Sequence, residues 1–410
     1  MKWLPRIGLS LASLAISLLV VEGALRLLGV SYPSFYQADP ELGNALRPGA
    51  EGWFREEGEA FVRINAAGMR DRERPLAKPP GTYRIAILGD SFALAKQVDV
   101  EAAFPRQLEG RLASCPALEG RRVDVLNFGV SAYGTGQELL MLRRRVWPFE
   151  PDLVLLAFLT GNDLLDSSLE LSPQLLLRPF FRVVDGVPVP DFSFRQTKNY
   201  RTRTSLAWRT AQAVIDHCRL LQLANHVKNA RLASNLARLR GADTPEARAR
   251  IGLDPAVYRA PTSGPWQRAW RLSELLVRTM AREVRDGGSR FALVVLSNAI
   301  QSHPDPEVRR RYQQVEGVQD LFYPDDRLLR LARVSGFPAL SLARDFQRHA
   351  QSTGTYLHGF PNTILGEGHW NEAGHALAGE LMAPFVCNLV AGHDATAAQP
   401  GSPSSPSSSR

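Results

Sequence analysis

Apolar positions recur along this chain with two different periods. Residues 83–88 form an apolar run interrupted by Arg84 and bounded by turn residues, and with the runs over 123–127 and 152–158 this predicts three strands. The third run is apolar at nearly every position, as expected where a parallel sheet is covered on both faces. Between the runs the period lengthens: Phe104, Leu108 and Leu112 share one face of a helix predicted over 101–113, and a second helix is predicted over 136–146. The alternation resumes with a helix over 265–284, a strand at 291–297, a helix at 326–334, a strand at 338–342 and a last helix over 371–390. Strand and helix alternating five times predict an α/β fold with a mainly parallel five-stranded sheet between helical layers.

Two stretches break the alternation. Residues 31–80 hold Pro40, Pro48, Pro75, Pro79 and Pro80 with several glycines, and read as an irregular approach segment. Residues 167–264 begin with Pro-rich turns, Asp185-Gly186 among them, and continue into Arg-rich helical stretches. They read as a largely helical insertion, either a cap over a site or a packing or partner surface. The α/β domain is thereby split into residues 81–166 and 265–393, and the Ser-, Pro- and Gly-rich residues 394–410 read as a disordered tail.

Residues 1–30 add a membrane to the picture. Lys2 and Arg6 flank the start of an apolar run over 7–21; Glu22 follows, and a second apolar patch over 24–30 is interrupted by Arg26. No strong small-x-small cleavage site comes after it, and a span needs about 20 residues, so the segment reads as an uncleaved signal anchor. A cleaved signal peptide is the alternative. Positive charge before the apolar run stays in the cytoplasm, which predicts a single-pass inner-membrane protein with its large domain on the periplasmic side.

Lys plus Arg exceed Asp plus Glu by 49 to 41, a formal charge of +8, and part of the excess is concentrated between Lys198 and Arg250. That patch suits anionic glycan or lipid headgroups, or is a solvated arginine-rich face. Nucleic acid does not fit as a partner of an exported chain. Cys115, Cys218 and Cys387 are too few and too scattered for a metal site, and export permits one disulfide with one thiol left over. Cys115 and Cys387 end or nearly end the first and last helices of the sheet domain. Those helices commonly share a face in this topology, which pairs the two cysteines, with Cys218 an equal competitor by count.

Chemistry enters at three blocks in a fixed order: Gly89-Asp90-Ser91-Phe92, Gly161-Asn162-Asp163 and Gly368-His369-Trp370-Asn371. Each lies at a strand or loop end leading toward a helix, the edge where ligands bind in such sheets. A serine, a polarising amide and a histidine suit acyl transfer through a covalent intermediate. Gly89 supplies a tight turn before Ser91, and the following helix offers free N–H groups; a plain N-cap is the alternative for Ser91. Gly129 and Asn162 follow the second and third strands and offer an unobstructed N–H and a fixed neutral amide, with ordinary turn chemistry as the alternative.

Of eight histidines, His369 is best placed as the base. His375 is expected to pack or cap, and His358 to stand in the pocket wall. Ser131 misses the Gly-x-Ser-x-Gly elbow by one residue. Neither a His-Glu-x-x-His motif nor a phosphate-binding glycine loop is present, so no metal and no cofactor is expected.

Together these blocks resemble the SGNH hydrolases, also called the GDSL esterase and lipase superfamily, of a bacterial membrane-anchored type. The matching segments are Gly89-Asp90-Ser91, Asn127-Phe128-Gly129, Gly161-Asn162-Asp163 and the block at His369, in order between Tyr83 and Leu389 apart from the insertion. The resemblance implies a three-layer flavodoxin-like fold, Ser91 as nucleophile, His369 as base, and the Ser91 N–H, Gly129 and Asn162 as oxyanion donors. Where the family places an Asp three residues before the histidine, this chain has Gly366. Glu367, two before it, takes that part or leaves it to a backbone carbonyl. The implied activity is a serine esterase, deacetylase or lipase-like hydrolase acting on an ester-bearing small molecule, lipid or glycan. Transfer of the acyl group to an exported polysaccharide and a catalytically decayed binding protein are the alternatives.

Overall fold

The computed structural model describes residues 4–172, 177–239 and 254–392. The tail expected over 394–410, and Arg240, Arg248 and Arg250 of the basic patch, lie outside the described residues. The chain opens with helix α1 (Leu4–Leu27), followed by two antiparallel hairpins, β1 (Tyr36–Asp39) with β2 (Gly43–Leu46) and β3 (Glu51–Phe54) with β4 (Ala60–Arg63). These hairpins correct the irregular segment expected over 31–80. Leu42, Leu46, Phe54, Val62 and Ile64 are buried in the main core, yet each strand is only four residues long, too short for its alternation to stand out among prolines and glycines. Past the hairpins, buried Arg74 is bound to Asp71, Glu109 and Asp124, tying the segment to the sheet domain.

The first half of the domain runs β5 (Thr82–Gly89), α2 (Ser91–Leu94), α3 (Phe104–Leu112), β6 (Arg122–Asn127), α4 (Thr135–Met141), β7 (Leu153–Leu159) and α5 (Asp163–Asp166). A π-helical turn over Leu142–Val146 continues α4, completing the helix expected there. The insertion holds the hairpin β8 (Phe180–Val184) and β9 (Val187–Asp191), then α6 (Lys198–Thr204), α7 (Leu206–His217) and α8 (Arg219–Leu239). The second half supplies α9 (Gly264–Asp286), β10 (Arg290–Leu296), α10 (Pro306–Glu316), α11 (Tyr323–Ser335), β11 (Ala339–Ser341), α12 (Ala343–Thr353) and α13 (Glu372–Val390). Helices α10 and α12 were not anticipated from the sequence.

The five strands of the central sheet are all parallel, in the order β11-β10-β7-β5-β6. Counted from β5 this is the order 2-1-3-4-5 of flavodoxin-like sheets. Every position of β5 and β7 is buried, because side chains on both faces meet helices. On one face Ala86, Leu88, Leu156 and Phe158 pack with residues of α4, α9, α11 and the first hairpins. On the other, Ile85, Ile87 and Leu155 pack with α3, α12 and α13. Since α3 and α13 share that face, Cys115 and Cys387 meet and form a disulfide with a Cα–Cα distance of 5.6 Å, leaving Cys218 free.

Candidate active site

Strand β5 ends at Gly89, and the chain turns at once into α2, so Ser91 stands at the carboxyl edge of the sheet in the first turn of a helix. Asp90 builds that turn. One carboxylate oxygen accepts from the Phe92 N–H at 2.8 Å, and the other accepts from the Asn162 side-chain amide at 2.9 Å. Burial pushes the Asp90 carboxyl up to about 6, against these two hydrogen bonds that favour its charged form. Asn162 comes from the loop after β7, so Asp90 joins two strand ends and fixes the amide beside the serine. The second Asn162 side-chain N–H has no hydrogen-bond partner among the described residues.

His369 reaches the serine from the loop before α13, whose N-cap Asn371 accepts from the Gly374 N–H. The ring Nε2 lies 2.8 Å from Ser91 Oγ, and Nδ1 lies 2.5 Å from a carboxylate oxygen of Glu57. The other Glu57 oxygen accepts from the His369 backbone N–H at 2.7 Å. A carboxylate at Nδ1 holds the proton there, so Nε2 presents a lone pair to the serine hydroxyl. Burial raises Glu57, but the bonds from the His369 ring and amide outweigh it and hold the carboxyl below its ordinary value. Glu57 is therefore an anion facing the imidazole.

Glu57 takes the place expected of Glu367. It comes from the turn between β3 and β4, which Asn362 pins to the loop before His369 by accepting from the Gly58 N–H and donating to the Gly58 carbonyl. The loop geometry explains the exchange. Gly366 and Gly368 both have positive φ, 86° and 70°. A Cβ at 366 would stand 2.7 Å from the His303 ring, so no Asp fits there, and a Cβ at 368 would stand 2.2 Å from Glu57 Oε1. Glycine at 368 lets the distant carboxylate close on the imidazole. The Glu367 carboxyl has no hydrogen bond among the described residues, and burial alone pushes it up.

Gly129 also departs from its expected part. Its N–H donates to Asn127 Oδ1 at 2.9 Å, while Asn127 Nδ2 donates to the Ala93 carbonyl in α2. That donor is spent on holding the β6 loop against the serine helix. Ser131 follows in the same loop and Ala132 adopts a left-handed φ of 61°, with its carbonyl accepting from buried Arg178.

His375 and His358 pack around the site. His375 is buried, accepts from the Phe104 N–H and stacks on the Phe104 ring; burial pushes it down to about 3, so it stays neutral. His358 donates from Nδ1 to the Gly368 carbonyl at 2.9 Å and bridges to Trp370, supporting the His369 loop from behind. Burial pushes it down to about 4. Beneath Asn162 lies a feature the sequence did not point to. Glu138 and Asp163 are fully buried, both are pushed well above ordinary carboxyl values by burial, and neither Glu138 oxygen has a partner among the described residues. No cluster of three or more potential metal ligands occurs among the described residues.

No family model and no curated protein matches the sequence. Solved structures do resemble the chain. An acetyl xylan esterase is 10% identical, with 74% of this chain and 99% of that chain covered at a TM-score of 0.35. A putative lipolytic protein of the G-D-S-L family from Desulfitobacterium hafniense is 10% identical, covering 73% and 98% at 0.31. The lipase/acylhydrolase from Enterococcus faecalis is 13% identical, covering 75% and 96% at 0.33. Of these three, the Desulfitobacterium protein is the one named as a G-D-S-L family member.

Proposed function

We propose that the protein is a serine-dependent ester hydrolase working through an acyl-enzyme, on an ester-bearing small molecule, lipid or glycan. The observation that carries this reading is the continuous relay from Ser91 Oγ through His369 to Glu57. His369 takes the serine proton as Oγ attacks the ester carbonyl, and the same proton goes to the departing alkoxide. The acyl group then rests on Ser91 until water, deprotonated by His369, attacks its carbonyl; the proton passes from His369 to Ser91 Oγ as that bond breaks and the acid departs. The carbonyl oxygen, charged in both tetrahedral states, is met by the Ser91 N–H and the free N–H of Asn162. Neither donor needs to rearrange, since Asp90 already fixes both segments.

Within residues 6–27 of helix α1 the most apolar stretch of 18 residues has a mean hydropathy of 2.0, and none of it is buried. It serves as an uncleaved anchor, with the sheet domain on the periplasmic side. The Cys115–Cys387 disulfide supports an oxidising compartment. The test is turnover of short-chain nitrophenyl esters and acetylated sugars by the wild type and Ser91→Ala, with and without added glycan acceptor. Hydrolysis that disappears with Ser91 supports the reading. Product formed only when an acceptor hydroxyl is supplied identifies an acyltransferase instead.

A further inference from the structure

We infer that α6, α7 and α8 form a platform that lies on a bilayer surface bearing anionic headgroups, beside the point where α1 leaves the membrane. The inference rests on the reading of α1 as a membrane span. Its first support is geometric. Glu22, which closes the apolar run, accepts from the backbone N–H groups of Arg219 at 3.0 Å and Leu220 at 2.9 Å, the opening residues of α8. One turn later, Arg26 donates to the carbonyl of His217, the last residue of α7, at 2.7 Å. Four residues of helix cover about 6 Å, and the headgroup zone on each side of a bilayer is of similar depth. The elbow between α7 and α8 is therefore held at headgroup level.

Charge is the second support. Residues 198–231 contain seven lysines and arginines, among them Arg201, Arg203, Arg209 and Arg219, and a single acid, Asp216. Asp216 is already paired with Arg47, the residue after β2. Apolar exposure is the third. Neither α6 nor α7 buries a residue, and Leu206, Val214 and Trp208 are 79%, 56% and 39% exposed, while Gln212, Ile215 and Asp216 of α7 are half-buried. An arginine-bearing helix with Leu, Val and Trp outward matches the chemistry of a helix lying in the membrane interface.

The placement reaches the active site. His226, seven residues into α8, stacks on Tyr32 and stands 3.9 Å from Glu56, the neighbour of Glu57. Seven residues of helix cover about 10 Å, so the turn that supplies the Glu57 carboxylate sits close to the surface on which α8 begins.

The experiment uses the full chain in nanodiscs of phosphatidylcholine with phosphatidylglycerol, in a Cys218→Ser background. Nitroxide labels at Leu206→Cys and, separately, Val214→Cys are compared with labels at Leu14→Cys in α1 and at Val334→Cys, 79% exposed on α11. Collision with oxygen reports lipid and collision with a water-soluble nickel chelate reports solvent. The expected result is an oxygen-to-nickel ratio at 206 and 214 several-fold above that at 334, and reduced when phosphatidylglycerol is omitted. Labels at 206 and 214 as open to nickel as the one at 334, with Leu14 in lipid, overturn the platform and leave the anchor standing. A label at Leu14 that is itself open to nickel overturns the anchor and the platform together.

Discussion

Replacing Glu57 by Gln separates the relay seen here from one built on Glu367. The Gln carbonyl can still accept from the His369 backbone N–H, which turns the amide NH2 toward Nδ1. Nδ1 must then accept, the ring proton moves to Nε2, and Nε2 no longer has a lone pair for the serine proton. In a serine-protease triad the equivalent carboxylate-to-amide exchange costs about 10⁴ in kcat, or about 5.5 kcal/mol. Glu57 makes two bonds to His369 and only the ring bond is inverted, so Glu57→Gln is expected to lower kcat/KM by about 10³- to 10⁴-fold. Glu367→Gln, which removes no described contact, is expected to stay within about twofold of the wild type. The assay is nitrophenyl ester turnover together with the rate of fluorophosphonate labelling, which reports serine reactivity without a known substrate. A Glu57→Gln enzyme that keeps wild-type stability and loses less than about tenfold, or an equal loss in Glu367→Gln, refutes the assignment.

Three further outcomes follow from the same geometry. Asn162→Ala is expected to cost about 10²- to 10³-fold in kcat in a stably folded protein, and an unchanged kcat would remove Asn162 from the oxyanion site. Cys387→Ser opens a link between residues 272 apart and is expected to cost roughly 3–5 kcal/mol in urea unfolding, whereas an unchanged midpoint would show that the bridge does not form in the folded protein. Glu138 is raised well above its unfolded value near 4.3, so the unfolded chain holds fewer protons between the two values and the wild type loses up to about 1.4 kcal/mol per pH unit there. Glu138→Gln abolishes that loss, so its urea midpoint should gain on the wild type as pH rises from 4.5 to 7; a constant difference would contradict a buried neutral acid.

The sheet was readable because β5, β7 and β10 are buried on both faces and so leave mostly apolar runs in the sequence, with Arg84 the one charge inside them. Ser91, Asn162 and His369 were readable because each follows a strand or precedes a capped helix, where local sequence dictates the turn. Glu57 was not. It lies 312 residues from His369, and no local pattern marks a carboxylate whose partner arrives from the other end of the chain. Ala60–Arg63 are buried and exposed in turn after Glu57-Gly58, but the exposed Phe61 is itself apolar, so the sequence of this four-residue strand shows no alternation. Helix α10 offered a clearer signal in its Asp305 cap followed by Pro306 and in Val308, Tyr312 and Val315 at helical spacing, but those three stand among mostly polar residues. Gly129 shows the converse. An Asn-x-Gly segment specifies a loop glycine, and only the three-dimensional contact with Asn127 shows where its N–H goes.

The central claim is that Ser91 is the nucleophile, activated by His369. Treating the wild type, Ser91→Ala and His369→Ala with a fluorophosphonate, and locating the adduct by peptide mass spectrometry, addresses it directly. The expected result is one phosphonyl group on Ser91 of the wild type, none on Ser91→Ala, and labelling of His369→Ala slowed by orders of magnitude. An adduct on Ser131, or a Ser91→Ala protein that is still labelled and still cleaves esters, would contradict it.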